Sequence, residues 1–145
     1  MQMRQIIDIV EVDTPGEGFV DVSQALSQWL AAKGARDGLL TLLLRHTSAS
    51  LTIQENADPD VVADLVDALR GLAPQDAGYR HQSEGPDDMP AHIRAMLTGI
   101  NLQIPVKAGR MLLGTWQGVY VVEHRARAQR RELALHFSGE VAVGG

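Results

Sequence analysis

The order of strand-like and helix-like segments is the feature that most limits the fold. From the N-terminus, apolar residues recur first with strand spacing, then helical spacing, then strand spacing, then twice with helical spacing, and finally in a block of strands. A doubly wound parallel fold needs strands and helices to alternate along the chain, and this chain alternates too rarely. The order predicts an α+β domain in which about three helices pack on a mostly antiparallel sheet.

The strand predictions are clearest where apolar residues alternate or form short runs. Phe19–Val22 is either a further short strand or the segment that leads into a helix. Gly114 and Gly118 fall inside the predicted strand Arg110–Glu123 and indicate a bulge or a close approach by another group. A chain of 145 residues needs only one core, so residues 1–145 are predicted to form a single domain. The predicted strands are Met3–Val12, Leu39–Leu44, Asn101–Val106, Arg110–Glu123 and Arg131–Phe137, and GLLTLLLRHTSASLTIQE, which contains the second of them, is either one strand or two strand segments.

Three helices are predicted from residues that favour helix ends. Along the third helix, Ile93, Met96 and Leu97 recur at helical spacing and are the predicted buried side. The predicted ends are Ser23 and Gly34 for the first helix, Asp58 (followed by Pro59) and Gly71 for the second, and Asp87 or Asp88 and Gly99 for the third.

The window HQSEGPDDMPAHIR, which begins at His81, holds two histidines, one glutamate and two aspartates. Because Pro90 fits the first turn of a helix, His92 should lie near a helix N-terminus, and His81 in the preceding loop can fold back towards it. Two interpretations stay open: a shared metal site, or ordinary polar residues in a capped loop.

His46 continues the apolar face of the strand that ends near Leu44. A histidine at such a strand end can have one ring nitrogen held while the other points into a cavity, although a lone histidine there is also typical of a satisfied core residue. Thr47, Ser48 and Ser50 follow directly, and their hydroxyls and backbone amides could bind an oxyanion. They could equally be ordinary strand and turn residues.

The composition of the chain limits its possible binding partners and metal ligands. The formal net charge of -5 argues against wholesale nucleic-acid binding, although Arg125 lies in the local cationic run EHRARAQRR. The chain has no cysteine, so a transition-metal site must use imidazole and carboxylate ligands. No segment has the length of a membrane span, and the N-terminus resembles no signal or transit peptide, so a cytoplasmic protein is expected.

Three segments, HTSASLTIQENADPDV, YRHQSEGPDDMPAHIR and LLGTWQGVYVVEHR, resemble in order and spacing the signature blocks of the YjbQ-like family. Members of this family are called secondary thiamine-phosphate synthases. The resemblance covers nearly the whole chain, and it implies an α+β fold, a homotrimer and a metal-containing pocket lined by the histidine-bearing segments.

Carried over to this chain, the resemblance implies that His46, His81 and His92 bind a divalent metal. Zinc is the expected metal, because three imidazoles and one open position are a common arrangement for catalytic zinc. His124 competes for the third place, and His136 is predicted to be structural.

The synthase reaction would join a pyrimidine diphosphate to a thiazole phosphate and release pyrophosphate. It needs cationic groups for the diphosphate, and a metal with Arg94, Arg125 or Arg131 could supply them. Trp116 either stacks on a substrate ring or belongs to the core. The residues predicted to bind the phosphorylated small molecule are Thr47, Ser48, Ser50, Asn56, Trp116, Gln117 and Arg125.

Two other functions stay open. A histidine-bound metal beside Glu84 and Asp88 is also suited to hydrolysis of a phosphate-type small molecule, with one carboxylate acting as general base. The chain could instead be a non-catalytic trimer that binds a metal or a small ligand.

Overall fold

Residues 1–143, the part of the chain that this computed structural model describes, form eight strands and three helices. The predicted domain runs to residue 145, and its last two residues lie outside the described part. The elements are, in chain order, β1 (Gln2–Thr14), β2 (Gly18–Asp21), α1 (Ser23–Ala32), β3 (Ala35–Leu44), β4 (Ala49–Glu55), α2 (Pro59–Leu72), α3 (Asp88–Thr98), β5 (Asn101–Lys107), β6 (Arg110–Met111), β7 (Gln117–Glu123) and β8 (Gln129–Val141).

The strands form two sheets rather than the single sheet predicted. The larger sheet has the order β1-β8-β3-β5-β6 and the smaller one β2-β7-β4, and every strand pair described is antiparallel. Helix α3 packs on β4, and α2 packs on α3 and β2. The predicted α+β class with three helices is confirmed.

The core lies between the two sheets and α1. Alternate residues of β3 and β8 point into it, and their outward neighbours Leu39 and Leu43 are exposed. Full burial of each large apolar side chain contributes about 1.5–3 kcal/mol relative to its exposure to water. The largest buried apolar side chains are Leu26, Leu30, Leu40, Leu42, Leu44, Leu51, Ile104, Leu133, Leu135 and Phe137.

The predicted long strand Arg110–Glu123 is wrong. Only its two ends are strands, and residues 112–116 between them are irregular. The break is stabilised locally, because the Gly114 N–H donates to Gln117 Oε1 (2.7 Å) and the Gln117 N–H donates to the Gly114 carbonyl (3.1 Å). Gly114, predicted to mark a bulge, therefore lies where the chain leaves the larger sheet for the smaller one.

The observed helix ends agree in part with those predicted from the sequence. Gly34 has φ 71° just after α1, as a left-handed C-terminal glycine should. The Asp58 side chain accepts the Asp60 N–H and caps α2. Ser23 was predicted to cap α1, and this is wrong: its hydroxyl accepts the Val119 N–H (2.8 Å) and so ties α1 to β7.

Helix α3 buries a different side from the one predicted. Met96 is 79% exposed and Leu97 is 56% exposed, whereas Ala91, Arg94 and Ala95 are buried. Small residues on this side let the helix approach β4 closely. The apolar pattern failed here because a charged residue occupies the buried face.

Arg94 can be buried because each of its three guanidinium nitrogens donates a hydrogen bond within the chain. It donates to Glu17 Oε2 (3.0 Å), to the Leu69 carbonyl (3.2 Å) and to the Ala73 carbonyl (2.8 Å). These bonds join α3 to the end of α2 and to the β1–β2 turn. Arg94 was predicted as a possible cation for the substrate, and in this structure each of its guanidinium nitrogens already bonds to the chain.

None of the helices described in residues 1–143 combines the length and the apolar character that crossing a bilayer requires.

Candidate metal centre

Asp88 is the centre of a compact cluster of polar side chains at the start of α3. Its Oδ2 lies 2.7 Å from His81 Nε2 and 3.1 Å from His92 Nε2, while its Oδ1 accepts from Arg125 Nη1 (2.8 Å). Potential ligand atoms of His81, Asp88 and His92 lie within 4.8 Å of one another. Among the described residues, this is the one such group of three or more.

The local chain path explains how these three side chains meet. Asp88 and His92 are one helical turn apart and so share a face of α3. Gly85 has φ 105°, and its carbonyl accepts the Asp88 N–H (3.4 Å), which turns the loop back so that His81 reaches the helix. The predicted folding back of His81 towards His92 is confirmed, with ring centroids 5.7 Å apart.

Asp87 occupies the N-cap position of α3, as one of the two predicted alternatives, but its side chain makes no capping hydrogen bond. The Asp87 carboxylate instead accepts from Arg125 Nε (2.9 Å) and from the Ala126 N–H (2.9 Å). Asp87 thus fixes the arginine that in turn holds Asp88. Sequence reasoning missed this role, since a carboxylate at a helix start is normally explained by capping.

Arg125 orients the cluster. Besides the two aspartates, it donates to the Glu84 carbonyl (2.8 Å). Burial raises the pKa of the Asp88 carboxyl, but hydrogen bonding to His81 and the charges of His92 and Arg125 outweigh burial and lower it below its ordinary value. Asp88 is therefore held as a carboxylate, which suits a metal ligand better than a proton acceptor.

The hydrogen bonds of His92 show why the cluster fits a cation. His92 Nδ1 lies 2.9 Å from the Thr47 carbonyl, and a carbonyl only accepts, so Nδ1 carries a proton. In the neutral ring Nε2 then has a lone pair that faces the Asp88 carboxylate at 3.1 Å. Two facing acceptors repel unless a proton or a metal ion lies between them. Two imidazoles and a carboxylate are ligands that zinc and ferrous iron both use.

The family of the chain follows from its sequence. Residues 8–140 match the family model described as UPF0047 protein YjbQ-like. The chain belongs to this YjbQ-like family. It is 48% identical over 139 residues to a UPF0047 protein of Synechocystis, with 95% of each chain covered. It is also 48% identical over 103 residues to the YjbQ protein of Salmonella typhimurium, covering 71% of this chain and 75% of that one.

Solved structures share the fold of this chain. A YbjQ-like protein of unknown function from Sulfolobus solfataricus aligns with a TM-score of 0.86 at 21% identity, covering 96% of this chain and 100% of that one. A conserved hypothetical protein from Thermus thermophilus aligns with a TM-score of 0.79 at 35% identity, covering 93% and 99%. The family and fold implied by the sequence resemblance are thus confirmed.

The structure does not place His46 with the other two predicted ligands of this YjbQ-like chain. His46 follows the end of β3 and is not part of the cluster of potential ligand atoms. Its Nε2 already accepts the Glu132 N–H (2.7 Å), so that lone pair is not available to a metal. Burial, together with the charge of Arg131, lowers the pKa of His46 and favours the neutral ring.

Only some of the hydroxyl groups that follow His46 in the chain are free to bind an oxyanion. Ser48 Oγ accepts from Arg131 Nη2 (3.1 Å), and Ser50, which is fully buried, is hydrogen bonded to His124 and Thr98. Thr47 is exposed. Of the three predicted oxyanion ligands, Thr47 is the one whose side chain a substrate can reach most easily.

Asn56, Trp116 and Gln117 lie far from the cluster. The β4–β7 pairing places Glu55 opposite Gln117 at one end and Ala49 opposite Glu123 at the other. Six residue steps along the strand separate these ends, which corresponds to about 20 Å. The sequence grouped these residues with the site, but the direction of the strands carries them to the opposite end. Trp116 is 63% exposed and is therefore not a core residue.

Two cavities flank the cluster. One of about 450 Å³ includes His81 in its wall, and another of about 410 Å³ includes His46 and His92. A cavity of about 660 Å³ beside α1 and β6 is larger, but no predicted ligand or acid/base residue lines it. We therefore take the two cavities beside the histidines as the relevant ones.

The remaining histidines have structural surroundings. His136 Nε2 is hydrogen bonded to Gln5 Oε1 (3.0 Å). His124 is buried, and its Nε2 lies 2.8 Å from Ser50 Oγ rather than in the cluster. Burial, assisted by the charge of Arg94, lowers the pKa of His124 to about 4. The ring is thus neutral in the folded protein at neutral pH.

We predict that His124 makes the stability of the protein pH-dependent. Between pH 6.5 and pH 4 the unfolded chain protonates this histidine while the folded chain does not, so the free energy of unfolding falls as the pH falls. At about 1.4 kcal/mol for each pKa unit, the loss attributable to His124 is about 3 kcal/mol. Urea unfolding of the native protein and of His124→Gln at pH 7 and pH 4.5 should show a smaller loss in the variant. Equal losses would contradict the prediction.

Proposed function

We propose that this YjbQ-like chain is a metal-dependent enzyme that acts on a phosphorylated small molecule. The observation that supports it best is the pair of imidazole nitrogens facing one buried carboxylate oxygen, with the His92 proton fixed on the far side of its ring. We assign His81, Asp88 and His92 as ligands of a divalent metal, with zinc as the expected ion. Asp88 replaces His46 in the set that the sequence suggested.

The surrounding residues have separate tasks in this proposal. When bound, the metal supplies a Lewis acid and polarises an oxygen of the substrate or of water. Arg125 keeps Asp88 charged and oriented, since it is hydrogen bonded to that carboxylate rather than pointing at a substrate. Thr47 fixes the orientation of His92 through its carbonyl. Glu84 is exposed, and its backbone is held beside the cluster by Arg125, so we assign it as the proton acceptor.

The activity that we propose first is the formation of thiamine phosphate, as the family resemblance implies. This reaction needs positive charge for a leaving diphosphate. Arg94, Arg125 and Arg131 are each engaged by carboxylates within the described chain. The metal would therefore have to carry much of that role, and we propose that the synthase reaction is a secondary activity of the site.

Hydrolysis of a phosphate-type small molecule is the second candidate. One argument for it is that the three arginines are paired with carboxylates and are not free to bind a diphosphate. Another is the set of metal ligands, because two imidazoles and a carboxylate leave coordination positions open for activation of water. In this reading Glu84 accepts the proton of the attacking water. A non-catalytic metal-binding role stays a further alternative.

A paired assay tests the two activities. Zinc-loaded protein should form thiamine phosphate from a pyrimidine diphosphate and a thiazole phosphate, or release phosphate from p-nitrophenyl phosphate. In either case Asp88→Asn should abolish turnover. Glu84→Gln should slow the hydrolytic reaction by about 100-fold or more, the usual contribution of a general base. Asp64→Asn, on the exposed side of α2, serves as the control.

Turnover that survives both Asp88→Asn and metal removal would contradict the catalytic role of the cluster. A zinc-dependent melting temperature with no turnover of either substrate would favour the non-catalytic alternative.

The homotrimer stays a prediction that the mass in solution can test. One feature supports self-association: the outer face of the larger sheet exposes Ile7, Ile9, Leu39 and Leu43, which form apolar area that a partner could cover. Sedimentation of the purified protein at three chain masses would agree with it, and a monomer would contradict it.

A further inference from the structure

The cavity of about 410 Å³ beside His92 contains a polar group whose hydrogen-bonding role is fixed by the fold. Ala95, Met96 and Ile100 form apolar parts of its wall, and His46, His92 and Asn101 form polar parts. Its volume lies within the range of about 300–1,000 Å³ that is usual for sites of small molecules. Neither aspartate nor glutamate is among the described residues that line it.

The proton of His46 must lie on Nδ1. Its Nε2 is 2.7 Å from the backbone nitrogen of Glu132, and a backbone N–H can only donate. Nε2 must therefore present a lone pair, and a neutral imidazole then carries its proton on the other nitrogen. The surrounding backbone thus makes Nδ1 a hydrogen-bond donor.

This donor has no partner within residues 1–143. The hydrogen bond of the His46 side chain in that part of the chain is the one at Nε2. Every buried side-chain nitrogen and oxygen described there does have a partner, so Nδ1 is not sealed inside the protein. Because His46 forms part of the cavity wall, its free donor is accessible to a molecule in the cavity.

The same arrangement argues against metal binding by His46. Coordination through Nδ1 would require a lone pair there and would move the proton to Nε2. That proton would face the Glu132 N–H at 2.7 Å, and two donors in contact repel each other. A donor role keeps both ring nitrogens compatible with their surroundings.

We propose that His46 positions a small molecule in this cavity by donating its Nδ1–H to a carbonyl oxygen or an unprotonated ring nitrogen of that molecule. The apolar part of the molecule packs against Ala95, Met96 and Ile100. The proposal rests on the proposed function, because His92 belongs both to the cavity wall and to the metal centre. A substrate whose reacting group is at the metal extends past His92 to His46.

The position of the proton can be measured without any activity. In nitrogen-15 spectra of protein with labelled histidine, we expect His46 to show a protonated Nδ1 and an unprotonated Nε2, both before and after zinc is added. A protonated Nε2 would overturn the inference. The proposed metal centre would survive that result, because it does not use His46.

A ligand titration tests the donor role. Benzamide has an apolar ring and a carbonyl acceptor, whereas benzylamine has the same ring and no acceptor. Benzamide should shift the Met96 methyl resonance of the native protein and bind more tightly than benzylamine. His46→Gln can still accept the Glu132 N–H through its amide oxygen but lacks the Nδ1–H, so benzamide should bind it about tenfold more weakly, the effect of one hydrogen bond.

The converse variant is His46→Asn, whose shorter amide can donate near the Nδ1 position but does not reach the Glu132 N–H. It should melt at a lower temperature than His46→Gln and bind benzamide more tightly than that variant. Equal benzamide binding by the native protein and by a folded His46→Gln variant would overturn the proposal. So would equal binding of benzamide and benzylamine, or an unchanged Met96 resonance.

Discussion

Replacing His81 with alanine is expected to lower the affinity of the protein for zinc by at least about 100-fold, because even the loss of a residue that only supports a ligand costs about 10–100-fold. Asp88→Asn should have an effect at least as large, since Asp88 Oδ2 contacts both imidazoles. The affinity can be measured by competition with a chromophoric chelator. The two variants should lose zinc together, as members of one site do.

Variants of two other histidines serve as controls that show whether the loss of zinc is specific to the proposed site. His136→Gln changes a histidine on the larger sheet, and His46→Gln changes the third ligand that the sequence suggested. Both should bind zinc as the native protein does. A loss of zinc in His46→Gln equal to that in His81→Ala would show that His46 is a ligand, and it would contradict the assignment of Asp88 in its place.

Replacing Arg131 with methionine is expected to destabilise the protein by about 3–5 kcal/mol, which is typical when one partner of a buried ion pair is removed. Glu123 is fully buried, and Arg131 donates to both of its carboxylate oxygens. Burial raises the pKa of Glu123, but the bonds from Arg131, Thr14 and the Arg125 N–H outweigh it and keep the carboxyl charged. Without Arg131 the charge stays buried with too few partners.

The double variant Glu123→Gln with Arg131→Met provides the control for this pair. It removes both charges, so its free energy of unfolding from urea titration should lie well above that of the single variant. If Arg131→Met lowers the free energy of unfolding by less than about 1 kcal/mol, the value of an exposed pair, the ion pair does not stabilise the protein as a buried pair should. If the double variant is as unstable as the single one, packing rather than charge explains the loss.

Much of the fold was predictable because burial imposes a simple period on the sequence. Leu40, Leu42 and Leu44 alternate into the core as their spacing indicated, and Asp58 caps α2. The predictions failed where a polar residue had partners far along the chain. Arg94 is buried because Glu17, 77 residues away, pairs with it, and no local pattern shows this.

The candidate site was predictable only in part for the same reason. His81 and His92 were found from composition, since imidazoles close to a predicted helix start suggested shared ligation. The role of His46 depends on the Glu132 N–H, which is 86 residues away and reaches it by sheet pairing. The role of Asp88 depends on Arg125, 37 residues away, which leaves one carboxylate oxygen to the two histidines.

The most direct test of the metal centre is the anomalous scattering of zinc in a crystal of the native protein, measured on both sides of the zinc absorption edge. We predict one strong peak per chain, within bonding distance of His81 Nε2, Asp88 Oδ2 and His92 Nε2 and remote from His46. A peak bound by His46, or zinc-loaded crystals with no peak at these three residues, would contradict the account.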